Sequence, residues 1–299
     1  MINSTETKMR DNPVSATRIR VAAFFALAFA ISWAVWIPTA LVSDSSPSLA
    51  LTLFPISLFG PAFAAIALMA FFEGRVGVRR LIAPVLKWRA GVRWYPIVVL
   101  GPAAIVWVAA SLSTLLGTPT AGFGSSQIPL AIPAYVLFLL VEAAGEEIGW
   151  RGYALPRLQA NLSALTSALV VGVAWSLWHL PLFFIAGLPQ TFLPFVAFLV
   201  WIVSQSVIFT WVYNGTRGSL LFAIVLHAAI NLSIQLFSIM PAQETDPTRP
   251  FIVVAGLGFI TASAVVALTN QQNINETRRR RYGRGLKMKS TAALLLPSP

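Results

Sequence analysis

Eight runs of about twenty apolar residues take up most of the chain, and they leave little choice of fold. They lie at approximately 21–42, 48–72, 94–117, 128–150, 162–186, 190–213, 219–241 and 251–269. A helix of that length rises roughly 30 Å, the thickness of a bilayer's hydrocarbon core. Pro55, Pro61, Pro102, Pro181 and Pro194 fall inside these runs. Membrane helices tolerate such breaks because neighbouring groups re-satisfy the freed backbone. Composition excludes the soluble alternative. Of 299 residues, 57% are hydrophobic and 10% charged, against about 45–50% and about 25% in soluble domains. The sequence therefore predicts an all-α, polytopic membrane bundle of about eight transmembrane helices. There is no Cys, which excludes disulfides, thiolate metal ligands and a Cys nucleophile.

Charge sets the orientation. Eight spans put both termini on one side. Twenty of the 21 Lys and Arg residues then share that side, Arg249 being the exception. Basic loops stay in the cytoplasm, so both termini are expected there, in an integral protein of the cell membrane. The organisation reads as a cytoplasmic segment 1–20, a transmembrane bundle 21–269 with its polar core at about 130–235, and a basic cytoplasmic tail 270–299. Residues 1–17 and 270–299 are polar and expected to be poorly ordered. The tail (Arg278, Arg279, Arg280, Arg281, Arg284, Lys287 and Lys289) is expected to meet anionic lipid rather than nucleic acid. The first apolar run is too long for the core of a signal peptide.

Seven of the ten acidic residues lie outside the apolar runs; Glu142, Glu146 and Glu147 lie together in the fourth. Both histidines, His179 and His227, also fall inside runs. An ionised side chain at mid-bilayer costs about 2.5–3.5 kcal/mol on insertion scales, so three glutamates would cost on the order of 8–10 kcal/mol unless compensated. Such residues are functional candidates by default. Glu147 and Arg151 stand i,i+4 with the acid first, the favourable order for an ion pair. Glu146 points about 100° away from Glu147 and is free to face another partner. Glu142 lies one turn from Glu146 on the same face, and competition between two such carboxyls suits a general base. His179 shares a helix face with Trp175, and His227 with Asn231. Pro181 ends the helical ladder just beyond His179. Gly145 and Gly149 have the spacing of a close helix contact. Three helices thus each offer polar groups to a common interior. Counted along straight helices, Glu146 and His227 lie roughly 13 Å from the cytoplasmic end and His179 roughly 27 Å. For them to meet, the fifth span must start late or tilt, or residues 161–167 must lie in the interface.

Peptide hydrolysis in a membrane needs an activated water or nucleophile and a group to hold the oxyanion. No span contains a GxSG-like serine, all three Asp lie outside the spans, and HExxH is absent. Glu146 remains as the group to take a proton from water. His179 and His227 would orient that water or donate to the oxyanion, with Asn231 assisting. The cofactor is left open: Glu146, His179 and His227 could instead hold zinc or another divalent metal, leaving a fourth position for water.

These motifs resemble the CPBP family of intramembrane peptidases, also called the CAAX prenyl endopeptidase-like or Abi family. EExxxR is matched by Glu146, Glu147 and Arg151. FxxxH is matched by Trp175 and His179, with Trp in the aromatic place. HxxxN is matched by His227 and Asn231. Order and spacing agree over roughly 130–235, and the basic stretch RRLIAPVLKWRAGVRWY is similar to the family's second cytoplasmic loop. The resemblance implies an eight-helix, cytoplasm-facing endopeptidase that acts on a membrane-associated peptide or protein. In it Glu146 activates water, and Glu147, Arg151, His179, His227 and Asn231 complete the site. The family is labelled a metallopeptidase. Two other readings remain at this point. One is a non-catalytic immunity or scaffold protein. The other is a proton-coupled transporter, although the paired broken helices typical of transporters are not visible.

Overall fold

In the computed structural model, residues 13–43, 57–118, 132–237, 239 and 248–293 are described, and among them there are helices and no strands. The helices are α1 (Pro13–Val42), α2 (Gly60–Ile82), α3 (Trp94–Leu115), α4 (Ile132–Glu147), α5 (Leu155–Gln159), α6 (Ala164–Trp178), α7 (Phe195–Gly215), α8 (Leu220–Leu236) and α9 (Thr248–Ala293). A π-helical segment, Ile148–Ala154, joins α4 to α5. Among the described residues six helical stretches are long and apolar enough to cross a membrane, and α8 is a shorter apolar helix of 17 residues. The interrupted helix 132–159, which holds the glutamates, makes about eight membrane helices in all.

Three boundaries differ from the sequence reading, each for a local reason. Hydropathy puts the second run at 48–72, but α2 occupies Gly60–Ile82; residues 48–56 lie outside the described residues. Pro61 in the first turn starts this helix, where its missing N–H costs nothing. Gly74 then bends it with φ 62° and ψ −157°, a conformation open almost only to glycine. Arg75, Arg79 and Arg80 therefore belong to the bent end of α2 and not to a loop. The last helix continues past 269 to Ala293, through a stretch expected to be poorly ordered. The fourth span is a straight α-helix only as far as Glu147.

The bundle has two dissimilar ends. At one end Lys87 Nζ donates to the Arg217 carbonyl, and Ser219 Oγ donates to the Lys87 carbonyl at 2.6 Å. There too Arg157 approaches Glu73 at 3.4 Å, and Glu73 binds Arg80 at 2.9 Å. This is the basic end. At the other end, the Ala186 amide donates to Ser43 Oγ at 3.1 Å, tying the loop after α6 to the end of α1. Arg151, counted above among the basic-side residues, is in fact fully enclosed within the bundle.

Candidate active site

The interrupted fourth span turns two consecutive glutamates to different surroundings. Gly149 permits this by letting the chain lie against α2: a Cβ there would stand 2.5 Å from Pro61 Cβ and 2.6 Å from the Pro61 carbonyl oxygen. Gly145 sits against the Phe59 ring in the same way, at 3.0 Å. The Gly145–Gly149 pair is thus the seam between α2 and the fourth span, as small residues are in many membrane helix contacts.

Glu147 is fully buried and faces the bundle interior. Its Oε1 accepts from Arg151 Nη1 at 2.9 Å and from His227 Nδ1 at 2.9 Å. The Arg151 guanidinium lies between the faces of Trp175 and Phe209, at 4.5 and 4.2 Å from the ring centroids. Its Nε and Nη2 find no hydrogen-bond acceptor among the described residues. The two aromatic faces supply electrostatic compensation for that shortfall. The unit joins α4, the π-helical segment and α8 through one oxygen.

Glu146 has the opposite outlook. It is 2% exposed, yet it lines a cavity of about 330 Å³. Trp175 Nε1 donates to its Oε2, and Trp150 Nε1 stands 3.4 Å from the same atom. His179, His227, Asn231 and Glu142 line this cavity as well. Sequence reasoning gave Trp175 only the role of an aromatic wall. In the fold it is the centre of the site: its indole bonds Glu146, its ring meets His227 edge-on at 5.5 Å, and its carbonyl lies 2.8 Å from His179 Nδ1. A Trp on the helix face of His179 was the available signal, since a buried Trp N–H needs an acceptor.

This geometry also answers the depth mismatch. Helix α6 starts at Ala164, with Ser163 Oγ capping the Thr166 amide at 3.0 Å. Trp175, one turn nearer the basic end than His179, is the α6 residue level with Glu146. His179 stands about 6 Å further along, just past the end of α6. It is enclosed by Trp178 at 4.8 Å and Phe198 at 5.3 Å, with Trp36 at 6.5 Å.

The two imidazoles are fixed in one tautomer. A carboxylate and a carbonyl only accept, so Nδ1 of His227 and of His179 must carry the hydrogen. In the neutral rings Nε2 is then an acceptor. The sequence leaves a metal set of Glu146, His179 and His227 open. Among the described residues no three His, Cys, Asp or Glu side chains gather closely enough to hold a metal ion. Glu146 Oε2 is in addition engaged by indole donors. These residues do not fit a metal centre as placed.

The cavity leads away from the basic end. Its walls come from the half of α4 that precedes Glu146, from the end of α6, from Phe198 to Phe209 of α7 and from His227 to Gln235 of α8, with Leu188, Pro189 and Gln190 at its outer part. The sequence reading combined cytoplasmic termini with cytoplasm-facing cleavage. Those two expectations now point to opposite ends of one bundle.

A family model for type II CAAX prenyl endopeptidase Rce1-like proteins matches residues 128–233. That interval contains Glu146, Glu147, Arg151, Trp175, His179, His227 and Asn231. The chain is also similar to a CAAX prenyl protease 2 of Methanococcus maripaludis, 28% identical over 267 residues, which cover 85% of this chain and 95% of that relative. The chain is thus similar to Rce1-like CAAX prenyl endopeptidases over the segment that holds the candidate site. Its apolar helices make it an integral membrane protein. The family match lies over the helices that build the cavity, from the start of α4 to most of α8.

Proposed function

We propose that the chain is an intramembrane endopeptidase in which Glu146 activates water against a peptide bond of a membrane-associated substrate. The observation that carries this is the position of Glu146. It is buried, held by indole donors, and turned into a cavity that two tautomer-fixed imidazoles and Asn231 share.

The chemistry runs as follows. Water in the cavity gives a proton to the Glu146 carboxylate as its oxygen adds to the substrate carbonyl. His227, accepting at Nε2, orients the second O–H of that water, and His179 offers a further acceptor on the cavity wall. A neutral imidazole held in this tautomer cannot donate at Nε2, so the neutral donor for the developing oxyanion is the Asn231 amide. Collapse of the tetrahedral adduct breaks the C–N bond, and the Glu146 proton passes to the leaving amine. Glu147 does not touch water in this scheme. It fixes the His227 ring and neutralises Arg151.

The basic end faces the cytoplasm by the positive-inside rule. In that orientation the cavity mouth faces the opposite side, and the substrate enters from there. The test is a cleavage assay on purified full-length protein with internally quenched peptides, with and without chelator. Glu146→Ala is expected to lose at least about a hundredfold in kcat while the protein still folds and inserts. Wild-type-like turnover by Glu146→Ala would refute the assignment.

A further inference from the structure

The mechanism leaves Glu142 unused. It stands one turn from Glu146, half-buried, on the wall of the same cavity. It takes part in no salt bridge among the described residues. The cavity wall contains two carboxylates, Glu142 and Glu146, and no Lys or Arg among its described residues. On this side of the bundle the sequence has one basic residue, the exposed Arg249 at the start of α9, against Asp44, Glu244 and Asp246. Arg151 is enclosed behind Trp175 and engaged by Glu147.

A site of this composition has a definite preference. A carboxylate inside a low-dielectric cavity attracts a cation and repels a second anion far more strongly than it would in water. The remainder of the wall is apolar, with Phe138, Leu139, Phe198, Ile202 and Ile230 among its residues. We propose that Glu142 is a specificity-determining residue, and that the substrate is an apolar peptide segment that carries a basic side chain and has no free C-terminal carboxylate close to the scissile bond. This rests on the peptidase reading above. It also separates this chain from any peptidase that cuts a few residues from its substrate's own C-terminus, because such a substrate would bring a carboxylate against Glu142.

The experiment uses full-length protein in proteoliposomes and a matched set of internally quenched apolar peptides. The peptides carry Lys, Gln or Glu at one position and end in an amide or a free acid. The expected kcat/KM of the Lys amide exceeds that of the Glu amide and of the free acid by about tenfold, most of it in KM. Glu142→Gln is expected to bring the three within about twofold. Binding, followed through the fluorescence of Trp175 and Trp201 in the cavity wall, reads the same ranking without turnover. Equal binding and cleavage across the set, or a preference for Glu or the free acid, overturns the proposal. Charge-ranked binding that Glu142→Gln abolishes, with no cleavage of any peptide by wild type, supports the selectivity and instead sinks the peptidase reading.

Discussion

The two ends of this bundle use polar residues in opposite ways. At the basic end, cations stand at the surface and pair with one another's neighbours: Arg80 and Arg157 share Glu73, and Lys87 binds a carbonyl. The chain there is pinned, and the candidate site does not open to it. Toward the other end the polar groups are few and buried, their bonds run between helices, and a cavity reaches them. Surface charge sets how the molecule sits in the membrane, at little energetic cost. Buried charge builds the site, at a cost that only close pairing offsets.

The sharpest way to break this comparison is to ask which end faces outward. The chain has no cysteine, so single cysteines report cleanly. Ala186, exposed in the loop at the cavity end, and Arg89, exposed at the basic end, are suitable sites. In intact cells an impermeant maleimide should label Ala186→Cys fully and Arg89→Cys only after the membrane is opened. The reverse pattern would turn the molecule over and return the cavity to the cytoplasm.

The next largest effect is expected inside the bundle. Arg151→Met keeps the packing length and removes the cation between Trp175 and Phe209. It leaves the buried Glu147 carboxylate with His227 as its hydrogen-bond partner and without its ion-pair partner. The expected destabilisation is about 3–5 kcal/mol, read as a large fall in thermal unfolding temperature in detergent. Replacing both members, Glu147→Leu with Arg151→Met, should recover much of that stability while His227 loses its anchor and activity stays low. If the double variant is no more stable than the single one, the pair is not the unit described here.

A smaller effect separates positioning from chemistry. Trp175→Phe keeps the ring against His227 and Arg151 but removes the hydrogen bond to Glu146. The ring is kept, so the variant should fold, with a stability loss of no more than one hydrogen bond to a carboxylate, about 1.5–3 kcal/mol. Glu146 loses the donor that holds its Oε2, so kcat/KM should fall by roughly tenfold, mainly in kcat. An unchanged kcat would return Trp175 to the status of an aromatic wall.

How far these features were legible in sequence depends on their physics. Span number followed from hydrophobic length, because each run must match the bilayer. The association of Glu146, Glu147, His179 and His227 followed from the cost of leaving them in lipid. The Glu147–Arg151 pair followed from helical spacing. Three things did not follow. The fold of the fourth span beyond Glu147 depends on how closely Gly149 meets Pro61 on another helix, a tertiary contact. The partner of Glu146 on α6 depends on relative helix depth: the sequence reading names His179, one turn beyond Trp175, the residue that meets it. Which end the cavity opens to depends on where the helices splay, and the hydrophobicity of each span carries no record of that.

The smallest effect belongs to the basic end, and it completes the comparison. Glu73 is about one quarter exposed, Arg157 about one fifth, and Arg80 largely exposed. Pairs so open to water contribute about 0–1 kcal/mol, because screening and side-chain entropy offset the attraction. Glu73→Gln should therefore lower stability by less than about 1 kcal/mol and leave kcat and KM at wild-type values. Raising the salt concentration should erase even that difference, since exposed pairs are screened within about 10 Å at 0.1 M. Glu73 does precede the Gly74 bend and ties both Arg80 and Arg157 to it. If Glu73→Gln instead reduces cleavage severalfold at constant stability, the bend of α2 is coupled to the cavity through Pro61 and the seam at Gly149. The two ends would then be one mechanical unit rather than two independent ones.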